Sequence, residues 1–396
     1  MTTGQPAMSG VETRRRWLRP APLRELDVGE RRSTWLELFF DLCFVAAVAA
    51  LAASLHDHPT WDGLARFGLL FVPVWWAWME FTWFATAFDN DDVFFRVAMF
   101  TGMLGVIVVA ATIGQVPAEG LDGFVLAYAG LQFIVAALFA RSVPAAGAAR
   151  GFAVRYAVGD LAGGLIWLAS LAVAPPARYW VWVLAMVVLM TAPPLAVRAF
   201  AESAFDSRHI PERYGLFTII VLGESVVAVV AGLAGKHVTP AAAATGVLAF
   251  ALATAIWWLY FEFVRPVGLS RQRPGAAFFW GYGHLAVYAG IAAASVGAEI
   301  AVESAASGEA LTGPARAMLA GGLAAFLLAT VAIHAVGTRA WGLVLGTRTL
   351  TAAVVAALAV AGAGLPPLPF TIALTAVVLA EVVLEALRTG PQLQEA

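Results

Sequence analysis

Residues 36–55 read LELFFDLCFVAAVAALAASL. At 1.5 Å per helical residue this run is as long as the hydrocarbon core of a bilayer, about 30 Å, is thick. Two carboxyl side chains, Glu37 and Asp41, sit in its first half. Eleven further runs of comparable length follow, at 67–88, 94–114, 121–140, 152–174, 179–199, 214–234, 241–264, 276–301, 315–335, 345–363 and 367–387. Breaks with turn chemistry separate them, among them His58-Pro59, Pro117, Val143-Pro144, Pro175-Pro176, Pro211, Pro240, Pro266, Pro274, Pro314 and Pro366-Pro367. A segment surrounded by lipid must satisfy its own backbone hydrogen bonds, so each run is expected to be a helix.

The composition agrees. Of 396 residues, 61% are hydrophobic and only 13% charged, against about half and a quarter in soluble domains. So much apolar surface cannot be hidden in a globule of this size. That excludes a soluble enzyme, a nucleic-acid binder and a disordered chain. The expected fold is all-α, a polytopic membrane helix bundle of about 12 transmembrane helices. A net charge of −2 names no partner, and the single cysteine, Cys43, excludes an internal disulfide or a Cys-based zinc site.

Basic residues set a direction for the spans. Seven arginines lie in residues 1–35, and every second loop is also basic, so 20 of the 24 basic residues fall on one side. The other side holds only Arg66, Arg178, Lys236 and Arg316. An even number of spans with both termini cytoplasmic follows. The first 35 residues read as a flexible Arg-rich cytoplasmic arm: the run behind them holds Glu37 and Asp41, unlike a clean signal-peptide core. Residues 389–396 read as a cytoplasmic tail.

An internal repeat divides the rest. Trp75-Trp76-Ala77-Trp78-Met79-Glu80-Phe81 and Trp257-Trp258-Leu259-Tyr260-Phe261-Glu262-Phe263 share the pattern W-W-x-aromatic-[MF]-E-F, six spans apart. Two parallel six-helix halves are expected, 36–200 and 201–388. Repeats of this kind occur in transporters.

The ionisable residues inside the spans carry the chemistry, because a charge at the centre of a spanning helix costs about 2.5–3.5 kcal/mol on insertion scales. Glu37 and Asp41 share a face by their i,i+4 spacing. Glu80, Asp160, Glu224 and Glu262 lie in later spans. All six are candidates for binding a proton or cation. Arg96 and Arg155, near span ends, are the candidate charge partners. Acids outnumber deep bases, which favours proton or cation handling over an anion site. A membrane carboxyl also caps helices or pairs with Arg for assembly. Trp76, Trp83, Trp258 and His284 are candidate cavity-lining residues, with tight packing as the plain reading of the tryptophans. Gly159 and Gly163 flank Asp160 in a G-x-x-x-G that invites close helix approach. There is no H-E-x-x-H, G-x-S-x-G or P-loop, so no enzyme activity, cofactor or metal is expected.

The run Glu37-Leu38-Phe39-Phe40-Asp41-Leu42-Cys43-Phe44-Val45 resembles the bacterial low temperature requirement A family, with its E-L-F-F-D-L-x-F-V at the start of the first span. Trp75 to Arg96 fits too, with its W-W-x-W run, as does Glu212-Arg213-Tyr214-Gly215-Leu216-Phe217 through Gly223-Glu224-Ser225. The resemblance runs from about residue 30 to about residue 365. It implies a multi-pass bacterial inner-membrane protein connected with growth in the cold, and it supplies no substrate. The Phe39-Phe40-Asp41 triplet is also similar, over a much shorter stretch, to a lysosomal and bacterial potassium channel family. Three functions stay open: a proton- or cation-coupled transporter, a cation channel, and a non-transporting assembly or stress-response protein. The expected partners are the lipid bilayer and a small solute, proton or monovalent cation, with no nucleic acid.

Overall fold

A computed structural model describes residues 21, 33–88, 91–114, 121–197, 209–234, 238–262, 274–338 and 342–389. Nearly all of the Arg-rich arm and of the C-terminal tail lies outside the described residues, as do Asp89-Asn90, Arg198, Arg208, Lys236, Arg265, Arg271, Arg273 and Arg339.

The described chain forms twelve long helices. They are α1 (Trp35–Asp57), α2 (Trp61–Ala87), α3 (Val93–Ile113), α4 (Leu121–Ser142), α5 (Arg150–Ala169) and α6 (Ala177–Val197), followed by α7 (His209–Leu233), α8 (Pro240–Phe261), α9 (Pro274–Ser307), α10 (313–338), α11 (Leu343–Ala361) and α12 (Pro367–Thr389). Within α10 the turn Ala317–Gly321 is a π-helix. Each expected span has its helix. Eleven are long and apolar enough to cross a membrane. The twelfth, α2, carries five tryptophans together with Asp62, Arg66 and Glu80.

Helix starts follow local capping chemistry. At α1 the Glu37 carboxylate accepts from Thr34 N at 2.8 Å and Thr34 Oγ1 accepts from Glu37 N at 3.2 Å, a reciprocal capping box. Asp92 caps α3, with Oδ1 accepting from Phe95 N at 2.9 Å, and its other oxygen pairs with Arg141. Thr239 caps α8, which begins with Pro240, where a missing N–H costs nothing.

The chain divides into two compact units: residues 1–44 with 73–212, and residues 45–72 with 213–396. In the first, α3, α4, α5 and α6 pack in sequence order. Its core is aromatic: Phe124, Tyr128, Trp167 and Trp182 form one set of ring contacts, and Phe84, Phe88, Phe139, Phe152 and Tyr156 another. Gly159 and Gly163 do bring α5 close to another helix, since an added Cβ would collide with Ala192 and Leu189 of α6. In the second unit α9 packs against α8, α10 and α12, and α11 against α10 and α12.

The outward faces are oily. On α3, Val97, Phe100, Leu104 and Ile107 form an exposed stripe, while Met99, Met103, Val106 and Val109 are buried. Trp180, Leu184 and Val187 do the same on α6, and Ile219, Val226 and Val230 on α7. In water each such side chain would forfeit about 1.5–3 kcal/mol of burial energy, and hydrocarbon removes that penalty. The chain is a multi-pass helical membrane protein.

Candidate functional site

Three helices of the first unit aim polar side chains at one another. From α2 come Trp76 and Glu80, one turn apart, and the Trp76 indole N–H donates to Glu80 Oε1. From α4 come Tyr128 and Gln132, again one turn apart. From α5 comes Asp160. Gly164, one turn after Asp160 on the same face, abuts Phe133 of α4, and the Asp160 carboxyl lies beside Glu80 of α2.

The carboxyls of Glu80 and Asp160 adjoin one another. Both residues are 1% exposed, and Gln132 is 0% exposed. Gln132 lies beside Glu80 and Tyr128, yet neither of its side-chain polar atoms is in hydrogen-bond geometry with the protein. Glu80 Oε2 and Asp160 Oδ2 are likewise buried without a protein partner. No guanidinium among the described residues pairs with either acid. Two adjacent carboxylates away from water repel strongly, so the pair is stable when it shares a proton or holds a cation between its oxygens. Gln132 adds a neutral carbonyl oxygen to the same group.

The remaining candidates fall elsewhere. Asp41 is buried and accepts from Trp78 Nε1 at 2.8 Å. Glu37 is occupied by the α1 capping box. Glu224 is half-buried on α7, within electrostatic reach of Glu299 on α9. Glu262 is exposed just past the end of α8, at its C-cap, and so is Trp258 at 39%. Trp83 is buried on α2. His284 is enclosed: Nδ1 faces the Trp280 carbonyl at 2.7 Å, Nε2 faces the Tyr260 hydroxyl at 3.0 Å, and the rings of Tyr214 and Tyr288 flank it. The expected charge partners do not meet the buried acids. Arg96 pairs with Asp91 at 2.6 Å in the open, and Arg155 is exposed on α5. Both side chains reach outward, as long cationic side chains near span ends do.

The two copies of the W-W-x-aromatic-[MF]-E-F pattern therefore differ in environment. The first, with Glu80, is buried; the second, with Glu262, is exposed at its acid and at both leading tryptophans. Sequence reasoning singled out Glu80 and Asp160 but not their neighbours Tyr128 and Gln132. A signal existed: Tyr128 and Gln132 are polar groups one turn apart within an otherwise apolar run. It also missed Arg348, counted with a loop, which lies inside α11 and forms a buried pair with Glu385.

Comparison with known proteins assigns the chain to a family. An uncharacterized protein of Rhizobium meliloti (strain 1021) is 29% identical over 302 residues, covering 71% of this chain and 72% of that protein. The profile described as bacterial low temperature requirement A protein (LtrA) matches residues 32–383. That match continues through most of α12, past residue 365, where the resemblance of individual motifs stops. With its profile match running from the capped start of α1 into the last helix, the chain belongs to the bacterial low temperature requirement A family.

Proposed function

We propose that the protein is a proton- or cation-coupled transporter of the bacterial plasma membrane, with both termini in the cytoplasm. The observation that carries this reading is the Glu80–Asp160 pair: adjoining carboxyls, fully buried, each with one oxygen that has no hydrogen-bond partner in the protein. A purely structural pair would be closed by an arginine, as Glu385 is by Arg348. Glu80 and Asp160 hold the ion, Gln132 lends a neutral oxygen, and the Trp76 N–H fixes the Glu80 rotamer. Protonation or ion binding neutralises the group, and its loss restores a repelling pair. A group with two such states can bias a conformational equilibrium, which coupled transport requires. The orientation rests on the 20-to-4 distribution of basic residues. The repeated W-W-x-aromatic-[MF]-E-F pattern supports an origin in two parallel six-helix halves.

Recordings on solid-supported membranes test the proposal. Purified protein in liposomes is exposed to jumps in pH, sodium or potassium. One of these ions is expected to give a transient charge displacement in the wild type. Glu80→Gln and Asp160→Asn, which keep the shape and remove the charge, are expected to abolish it. Absence of any displacement in a folded wild type, or an undiminished one in both variants, overturns the reading. A sustained ohmic current would replace it with a channel.

A further inference from the structure

The second unit contains a cluster that the acid pair does not involve. His56, in the last turn of α1, meets Glu299 and Glu303, which lie one turn apart on α9. His56 Nε2 is 3.2 Å from Glu303 Oε2 and 3.7 Å from Glu299 Oε1. One donor atom from each of the three side chains falls within 4.8 Å of the others. We propose that His56, Glu299 and Glu303 bind a divalent metal ion of the zinc class.

Geometry and donor chemistry both support this. Zinc holds imidazole nitrogen and carboxylate oxygen at about 2.0–2.2 Å, so the edge of its coordination tetrahedron is about 3.3–3.6 Å. The two separations from Nε2 bracket that edge. One imidazole and two carboxylates form the three-ligand set of an open site, with a fourth position left for water. Softer or larger ions fit less well: a thiolate is absent from the group, and calcium takes six to eight oxygens. The far side of the imidazole also faces negative charge. His56 Nδ1 faces Asp57 Oδ1 at 3.9 Å. In the ion-free protein Nε2 lies within hydrogen-bond distance of Glu303 Oε2, and a bound metal ion would displace the proton held there.

The site is also reachable. The side chains of His56, Glu299 and Glu303 are 28%, 17% and 27% exposed, enough for a hydrated ion to approach and lose part of its shell. With 34 residues α9 is about 51 Å long, more than the hydrocarbon thickness, and its last turns carry both glutamates. Under the topology proposed above, this end faces outside the cell. Glu224 stands within electrostatic reach of Glu299, so negative charge continues along α7 and α9 inward from the metal position.

The test is equilibrium binding of zinc chloride to the full chain in lipid nanodiscs, purified without a histidine tag and stripped with a chelator. Isothermal titration is expected to give one zinc per chain. His56→Ala and Glu303→Gln are each expected to weaken it about 100-fold or more, beyond the usual cost of losing an outer-shell partner. His58→Ala removes a neighbouring exposed histidine that takes no part and is expected to leave the affinity unchanged. Cobalt substitution adds a second readout, the visible absorption of a four-coordinate ion. Should either variant fail to fold, Glu299→Gln serves in its place, with folding checked by size-exclusion profile. Failure of the folded wild type to bind zinc overturns the proposal, and so does binding that survives the variants. The assay requires no transport, so its outcome is independent of the role of Glu80 and Asp160.

Discussion

Arg348 and Glu385 show what a closed ion pair inside this protein looks like. The guanidinium meets the carboxylate twice, Nε to Oε1 at 2.8 Å and Nη2 to Oε2 at 2.6 Å, while Nη1 donates to Thr330 Oγ1 at 3.1 Å. Beside them, the hydroxyls of Thr347 and Thr351 each donate to Glu381 at 2.9 Å. Removing one member of a buried pair leaves the other charge unsolvated, at a cost of about 3–5 kcal/mol. Glu385→Gln is therefore expected to lower the melting transition sharply, followed by tryptophan fluorescence during heating in detergent. The double variant Arg348→Leu with Glu385→Leu is expected to recover most of that loss, because no charge remains buried. An Arg348 that merely snorkelled to water would show neither effect. The contrast with Glu80 and Asp160 explains which parts of the chemistry were legible in the sequence. Acids inside apolar runs stand out because each is costly in lipid. Their partners do not, because Asp160 and Glu80 lie 80 positions apart in the numbering and come together only through packing. Arg348 was hidden differently: five residues into α11, it read as a loop charge.

Helices α9 and α10 meet backbone to backbone. A Cβ added at Gly290 would lie 2.7 Å from Gly322 O, and one at Gly322 would lie 2.6 Å from Gly290 O and 2.7 Å from Ala294 N. A Cβ at Gly297 would strike the backbone of Leu319, which belongs to the π-turn of α10. These obstacles are main-chain atoms, so the helices themselves would have to separate. Small residues permit such contact in membranes, where packing has to replace the hydrophobic drive between helices. Gly322→Ala and Gly297→Ala are expected to destabilise by about 1–3 kcal/mol each, the usual cost of overpacking. Gly321→Ala, one position away with nothing within 4 Å, is expected to be tolerated. Comparing melting transitions of the three checks the claim, and equal loss at Gly321 would refute it. Element positions were readable from twelve apolar runs and their proline-rich breaks. The π-turn and the glycine crossing were not, because a small residue in an Ala- and Gly-rich helix gives no hint of which neighbour needs the space.

The course of α2 fixes the sidedness of everything after it. It is the one helix of the twelve that falls short on apolar length and composition, although its 27 residues extend about 40 Å. The polar content of its second half is buried: Glu80 is 1% exposed, and Trp75, Trp76 and Trp78 are 0% exposed, while the exposed Asp62 lies in its first turn. A helix whose charge faces protein crosses a bilayer without the penalty that charge would meet in hydrocarbon. With the N-terminus inside the cell, as proposed, a crossing α2 puts residue 150 inside and residue 309 outside. If it does not, every later loop changes sides and the two positions exchange places. Arg150 and Glu309 are both exposed, which makes them suitable for labelling. In a Cys43→Ser background, Glu309→Cys is expected to react with a membrane-impermeant maleimide applied to intact cells with a permeabilised outer membrane. Arg150→Cys is expected to react only after the cells are broken. With the N-terminus inside, the reverse pattern would mean that α2 does not cross and that 13 of the 16 basic residues beyond it lie on the outer face. That arrangement would oppose the 20-to-4 asymmetry of the basic residues, the strongest orientation signal in the sequence.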